Sequence, residues 1–374
     1  MEKVLLVATV QSHICQFHKP LVRVLREFGY EVHVAARNNL AEKDGLALDF
    51  VDRVYDLPFA RKPLSKKNWE AYRALKALIR EQNYAVVHCN TPVGGVLARL
   101  ACRRERKKGM RVLYTAHGFH FYQGAPKRNW LLYYPIEWVC AKWTDRLLTI
   151  TQEDEVLAKA KFKSRVFRIH GVGADPERFH PISLLKKEQL RAQYGVPNTK
   201  QLILCVGELL PNKNQKTAIW AMAEVVKAYP DALLCIAGNG SEHDALQAQI
   251  YACGLEEHVC LLGYTTHIAD WYGMCDALVS CSYREGLPMN VIEAMLCAKP
   301  VVASDNRGHR ELVADGVTGF LLSPDDANGY ADALKHLLAD PTHAADMGLA
   351  AMERAQIYTA ERVESELKSI YRSL

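Results

Sequence analysis

Short continuous apolar runs alternate with longer amphipathic stretches along this chain. Lys3 to Thr9 (KVLLVAT) is a β-branched run, followed by a helical pattern over Phe17 to Phe28 and a second strand over Glu31 to Ala36. Ala85 to His88, Arg111 to Thr115 and Arg146 to Thr151 repeat the strand signal. Strands buried on both faces read as such runs, and helices between them supply the crossovers of a parallel sheet. The pattern restarts after residue 180. Leu202 to Val206, Leu233 to Ala237, Val259 to Leu262, Ala277 to Ser280 and Pro300 to Ala303 are further strands, with helices over Ala218 to Ala228 and Met289 to Cys297. Between the rounds, HGVGADPERFHP (170–181) carries two glycines and two prolines, the best linker signal in the chain.

At 374 residues the chain has room for two or three domains. The pattern predicts an α/β fold of two doubly wound, Rossmann-like domains facing across a cleft, with ligands at the carboxyl ends of the strands. We place the first domain at 1–170, the linker at 171–183 and the second domain at 184–355. A C-terminal helix follows at 356–374 (clearest over Ala360 to Tyr371), placed to pack back on the first domain. A dinucleotide enzyme is the common reading of such folds, but Thr9-Val-Gln-Ser-His13 holds no G-x-G-x-x-G. Gly238 and Gly240 in AGNGSE follow a later strand and read as a weak phosphate loop or an ordinary turn.

Composition narrows the class. Hydrophobic residues make up 49% and charged residues 24%, which excludes a disordered or fibrous chain. The most apolar stretch, Leu131 to Ile150, is interrupted by Glu137, Lys142, Asp145 and Arg146, so no transmembrane helix is expected. Val4 to Val10 is too short for a signal peptide. Eleven cysteines without a C-x-x-C pair, several in apolar runs (Cys205, Cys235, Cys260), point to reduced, packed thiols in a cytoplasm. The net charge of +5 hides a split. Residues 1–180 hold 31 Lys and Arg against 18 Asp and Glu, a formal +13; residues 181–374 hold 16 against 24, a formal −8. A basic half suits an anionic partner.

The segment Ser280 to Met295 (SCSYREGLPMNVIEAM) carries the chemistry. A strand ends near Ser280, Gly286 and Pro288 make the turn, and a helix begins at Pro288 or Met289. Proline is favourable there, since its missing N–H would be unpaired anyway. The amides of Met289, Asn290 and Val291 are then free to face a phosphate. Glu285 and Glu293 flank the turn. Carboxylates accept hydrogen bonds from sugar hydroxyls but repel phosphate, so a glutamate on each side of a phosphate turn fits a nucleotide sugar. Two unrelated surface glutamates have the same spacing.

REGLPMNVIEAMLCAKPVVAS resembles the E-x7-E signature of the retaining, two-Rossmann-domain (GT-B) glycosyltransferases of family four. VGELLPNKN (206–214), AGNGSE (237–242), LLGY (261–264), NRGHRELVADGVTGFLL (306–322), TAHGFHF (115–121) and the linker GVGADPERFHP are similar to the same family in the same order. The likeness is dense over 171–330, weaker over 1–110, and nearest to the branch that builds capsular or exopolysaccharide repeat units on a lipid carrier. It implies a hexosyl- or N-acetylhexosaminyl-type transferase. Glu285 would contact donor-sugar hydroxyls and Glu293 the ribose. Lys213 would neutralise the leaving diphosphate. Gly207, Gly238, Asn239, Gly240, Gly286, Leu287, Pro288, Met289 and Asn290 would line the donor site, and backbone near Tyr264 would read the base. His117 would face the donor sugar, with Ser12, His13 and Gly118 on the acceptor side. Two positions depart from the family. Glu208 stands where an arginine usually helps clamp the diphosphate, a role that Lys216 or Arg284 would have to fill. Val10-Gln-Ser-His13 replaces a common Gly-Gly pair.

No D-x-D pair is present to hold a metal against the diphosphate, and no cofactor or metal is expected. His117 and His120 lack a third ligand nearby in sequence. Arg103-Arg-Glu-Arg-Lys-Lys108, Arg61-Lys62 and Lys66-Lys67, with Trp130, Tyr133, Tyr134, Trp138 and Trp143, suit an anionic bilayer surface. The expected partners are a nucleotide sugar (UDP- or GDP-linked), a lipid-linked or oligosaccharide acceptor and the inner face of the cell membrane, and no nucleic acid. A nucleotide-sugar epimerase and a weakly catalytic nucleotide-sugar-binding protein remain as alternatives.

Overall fold

The structure, a computed structural model, describes residues 1–42 and 46–374. The chain forms two units, Met1–Gly173 with Ala360–Leu374, and Ala174–Thr359. Among the described residues the first holds seven strands: β1 (Lys3–Val10), β2 (Glu31–Arg37), β3 (Arg53–Asp56), β4 (Val86–Asn90), β5 (Arg111–Ala116), β6 (Arg146–Thr149) and β7 (Arg165–Arg168). Their order is β3-β2-β1-β4-β5-β6-β7, all parallel. The second unit holds β8 (Gln201–Val206), β9 (Ala232–Ala237), β10 (Val259–Gly263), β11 (Ala277–Ser280), β12 (Val301–Ser304) and β13 (Gly319–Leu322), ordered β10-β9-β8-β11-β12-β13 and again parallel.

Alternation along a strand divides side chains between two faces, and in the second unit both faces are core. Ile203, Ile236, Val279 and Val302 join one apolar cluster, while Leu202, Leu204, Leu278 and Val301 join the other. Cys205 and Cys235 are packed, but Cys260 lies exposed on edge strand β10, contrary to its apolar surroundings in sequence.

The helix expected over Phe17 to Phe28 is present as Lys19–Glu27, preceded by a short helix that the pattern did not predict. The chain enters a helix over Gln11–Phe17 directly from β1, pauses at His18, and starts a second over Lys19–Glu27. Pro20 lacks an N–H and fits only a helix's first turn, so it restarts the helix instead of continuing it. The C-terminal helix, Ala360–Arg372, packs within the first unit. Tyr371 Oη lies 2.7 Å from His88 Nδ1, Arg146 donates to Ile370 O at 2.7 Å, and Arg23 pairs with Glu364 at 2.9 Å. Among the described residues no helix is long and apolar enough to cross a membrane.

Candidate functional site

In each sheet the strand order reverses at one place, between β1 and β4 in the first unit and between β8 and β11 in the second. Loops leaving the two central strands diverge there, which opens a crevice at the strand carboxyl ends. Of the predicted site residues, Ser12 and His13 follow β1, Gly207 and Lys213 follow β8, and Glu285 to Asn290 with Glu293 follow β11. His117 and Gly118 follow β5, Gly238 to Gly240 follow β9, and Tyr264 follows edge strand β10.

In the second unit, the loops after β8 and β9 lie backbone against backbone. Gly207 N–H donates to Ala237 O at 3.0 Å, and Leu209 N–H to Asn239 O at 2.9 Å. A Cβ on Gly238 would lie 1.9 Å from Gly207 O, and one on Gly240 2.1 Å from Leu209 O. This approach accounts for both glycines without a ligand. Lys213 ends a short turn, Pro211–Lys213, and its aliphatic stem runs over Gly207, about where a Cβ would touch it at 3.5 Å. Its Nζ donates to Glu285 Oε1 at 2.7 Å.

Glu285 is in the turn leaving β11. Gly308 presses on it from below: a Cβ there would come within 2.6 Å of Gly286 O and 2.8 Å of the Glu285 Cβ. Asn306 caps the helix that carries Gly308, accepting from the amides of Gly308 and His309. His309 is buried beneath the turn and joins its two sides. Nδ1–H donates to Ser304 O at 2.8 Å, which leaves Nε2, 3.1 Å away, to accept from the Ser280 hydroxyl. Burial lowers its pKa. The motif reading passed over His309, because its role depends on a strand 29 residues earlier.

The helix Met289–Leu296 begins after Pro288 as expected. Asn290 Nδ2 ties it to Val206 O, the end of β8, at 2.8 Å. The Val291 amide, expected to face a phosphate, instead donates to Pro288 O at 3.2 Å, as the first turn closes around the proline. Leu287 and Met289 are half-buried against the second unit's core. Glu293, also half-buried, accepts from Tyr272 Oη at 3.1 Å. Burial raises its pKa to about 7, against the opposing effects of that hydrogen bond and of Arg178. Tyr264 follows β10 and is 38% exposed. Glu208, Lys216 and Arg284 are all exposed, with Lys216 over the Trp220 ring.

In the first unit, Ser12 is buried and fixed by Asn39. Its amide donates to Asn39 Oδ1 at 3.1 Å, and its hydroxyl accepts from Nδ2 at 2.9 Å. His117 follows β5 and precedes Gly118, whose φ of +117° favours glycine. Its neighbour is not His120, which lies against Tyr133. His13 and His18 surround it instead, with ring centres 4.8 and 5.6 Å away. Burial pushes His117 down to about 4 and holds His13 and His18 well below the ordinary histidine range. The five-residue spacing of His13 and His18 was visible in sequence; their meeting with His117 depends on the sheet.

Residues 186–354 match the family described as Glycosyl transferases group 1, and residues 3–151 the one described as Glycosyl transferase 4-like. Over 372 residues, 99% of this chain and 96% of the relative, the chain is 40% identical to a Bacillus subtilis (strain 168) protein named as the glycosyltransferase EpsD. It is 26% identical over 313 residues, 81% of this chain and 80% of the relative, to an Escherichia coli UDP-Gal:alpha-D-GlcNAc-diphosphoundecaprenol alpha-1,3-galactosyltransferase. Anabaena HepE, solved with UDP and glucose, shares the fold over the whole of both chains with a TM-score of 0.81 at 22% identity. WaaG, a glycosyltransferase involved in lipopolysaccharide biosynthesis, shares it with a TM-score of 0.77 at 16% identity, over 98% of this chain and 99% of that one. With 40% identity along almost its full length and both halves matched, the chain belongs to the retaining GT-B glycosyltransferases of family four, as the Glu285–Glu293 segment implied, and is an enzyme of hexosyltransferase type.

Proposed function

We propose that the second unit binds a UDP-sugar and that the enzyme transfers its hexose or N-acetylhexosamine, with retention, to a lipid-linked glycan in polysaccharide assembly. The observation that carries this reading is the Lys213–Glu285 contact at the β8/β11 switch point, with Glu293 one helix turn beyond. One cation for a diphosphate and two carboxylates for hydroxyls on either side are the complement of a nucleotide sugar. The anomeric bond to the diphosphate breaks, the acceptor hydroxyl bonds the same face, and its proton leaves with the diphosphate. Lys213 stabilises the charge that develops on the leaving group. Glu285 holds sugar hydroxyls and Glu293 the ribose, while backbone amides at Leu287, Met289 and Asn290 meet the diphosphate or sugar. In the first unit His117 keeps the sugar-contacting role implied by the resemblance, and Ser12, His13 and Gly118 serve the acceptor. The Escherichia relative, named for a diphosphoundecaprenol-linked acceptor, supports the lipid-linked acceptor, and the UDP-bound neighbour supports the nucleotide.

We further propose that the first unit rests on an anionic bilayer. Leu131, Leu132, Ile136, Trp138 and Val139 are exposed on one helix, Lys127–Ala141, which begins with exposed Lys127 and Arg128. Trp130 and Tyr134 instead pack inward on Phe121 and Phe162, so the aromatic cluster read from sequence divides between core and surface. Leu64 and Trp69 are exposed among Arg61, Lys62, Lys66 and Lys67.

Incubation with a panel of nucleotide sugars, with and without membrane extract, tests the reading. UDP release and lipid-borne sugar only with extract are expected. Conversion of a nucleotide sugar alone would favour an epimerase, and binding without turnover in either case a binding protein.

A further inference from the structure

We infer that His13, His18 and His117 form a binding site for one zinc-class metal ion, built without Lys213, Glu285 or Glu293. Each ring offers one nitrogen, and these atoms all lie within 4.8 Å of one another. The ring centres are 4.8, 5.1 and 5.6 Å apart and the rings are steeply inclined to one another. Three imidazoles sharing a tetrahedral zinc at about 2.0–2.1 Å have ring centres roughly 5 Å apart. The rings are thus already spaced for an ion, and small side-chain rotations bring the nitrogens to it.

Packing alone leaves these histidines unexplained. Nε2 of His13 and Nε2 of His18 are buried with no hydrogen-bond partner. Leaving two buried ring nitrogens unsatisfied is costly, and one ring nitrogen of each histidine lies within 4.8 Å of the others. A cation satisfies both lone pairs at once. His117 has Asn90 Oδ1 3.4 Å from its Nε2, the kind of outer contact that orients a metal-bound imidazole, and this leaves Nδ1 for the ion. Burial keeps all three rings neutral, the form that binds metal. Three imidazoles without a carboxylate suit Zn²⁺, Cu²⁺ or Ni²⁺ and not Mg²⁺ or Ca²⁺. This site therefore differs in kind from a diphosphate-bound metal, for which the sequence has no D-x-D.

The site lies at the β1/β4 switch point, because His13 follows β1, Asn90 ends β4 and His117 follows β5. Under the proposed function, a bound ion withdraws His13 and His117 from substrate, so zinc is an inhibitor that acts through His18 as well.

Calorimetric titration of the chelator-treated full chain with Zn²⁺ tests the site without any activity assay. One ion per chain is expected, with no heat from Mg²⁺ and a tetrahedral visible band when Co²⁺ is used. His18→Ala and His13→Ala should each weaken binding by about 100-fold or more. His18 is buried and its variant can misfold; His13 is half-exposed, and circular dichroism checks both. His336→Ala, at a second histidine pair (His336 and His343), should leave binding intact. Absence of Zn²⁺ binding by the native chain, binding undiminished in the His13 and His18 variants, or loss only in His336→Ala would each overturn the site. Failed transfer with intact zinc binding would instead count against the proposed function.

Discussion

Lys213 and Glu285, 72 residues apart, hold each other at 2.7 Å at the carboxyl end of the second sheet. Each is mostly withdrawn from water, with side chains 24% and 13% exposed. In the absence of donor each group neutralises the other. Under the proposed function, a nucleotide sugar separates the pair, giving the ammonium a diphosphate and the carboxylate a hydroxyl. Because charge grows on the diphosphate as the anomeric bond breaks, that reading has Lys213 contribute most in the transition state. Lys213→Met should lower kcat/KM by about 10²–10³-fold, mainly through kcat. Steady-state kinetics of UDP release measure this, and a loss under tenfold would reject the assigned role.

Under the proposed function, Glu293 gives the donor site a pH dependence. Its ordinary value is 4.5, and burial raises it to about 7. Between those values the folded protein keeps a proton that the unfolded chain has lost. This contribution to stability is fully present below pH 4.5 and is lost as pH rises toward 7. Donor binding runs the other way, since a ribose hydroxyl bonds best to the ionised carboxylate. Affinity should fall about tenfold per pH unit below 7, with a proton released on binding at pH 6. Glu293→Gln should flatten both slopes. Calorimetry in buffers of different ionisation enthalpy reads the released proton directly, and finding none removes Glu293 from the ribose.

Much of this was legible in the chain. The central strands β1, β2, β4, β8, β9 and β11 read as continuous apolar runs because both their faces are buried. The strands that pattern missed, β3, β7 and β13, are four-residue pieces at sheet edges, where exposed positions such as Arg53 and Val54 break the signal. Glu285 and Glu293 were singled out by their spacing around a strand–turn–helix, and Lys213 by the family likeness alone. His309, Gly308 and the His13–His18–His117 cluster were not, because each works through a contact that only the sheet order creates.

Gly308 provides a steric test of how the turn is held. A methyl group there meets the backbone of Gly286 and Glu285 at 2.6–3.0 Å, and neither can rotate away. Gly308→Ala should push the Glu285 turn outward, lowering turnover about tenfold or more and destabilising the second unit by about 1–3 kcal/mol. Kinetics and thermal melting together check this, and unchanged turnover would show that Glu285 tolerates the displacement.

Arg99 is fully buried in the first unit. It makes two hydrogen bonds to Glu137 at 2.8 and 3.0 Å, one to Gly95 O at 2.9 Å, and lies 3.8 Å from the centre of the Tyr114 ring. Removing one partner of such a pair strands a buried charge. Glu137→Ala should cost about 3–5 kcal/mol, whereas the double change Arg99→Met with Glu137→Leu should recover most of it. Denaturant melts of the three proteins decide the matter, and a Glu137→Ala cost under 1 kcal/mol would mean that water reaches the guanidinium.

The membrane reading becomes sharper once the basic cluster is resolved into its members. Arg106 donates twice to Asp145, at 2.8 and 2.6 Å, so it is committed to the fold, while the exposed Lys108 pairs with Glu105 at 2.7 Å. Arg103, Arg104, Lys107 and Arg111 are exposed, and the exposed Leu132, Ile136 and Trp138 lie on a helix of the same unit. Each basic side chain near an anionic surface contributes about 1 kcal/mol, so under the membrane proposal the four together suffice for reversible attachment. Such attachment weakens with salt, because exposed charges are screened over about 8 Å at physiological ionic strength. Changing those four residues to glutamate should release the protein from phosphatidylserine vesicles. Arg106→Glu should unfold the Asp145 corner instead and show up as lost stability. Trp138→Ala should weaken binding to neutral and anionic vesicles alike, since it removes insertion and leaves the charge. Turnover of a water-soluble acceptor analogue should survive the fourfold reversal, because Lys213, Glu285 and Glu293 belong to the other unit. Equal co-sedimentation of the native and reversed proteins with anionic vesicles would exclude electrostatic docking through this face.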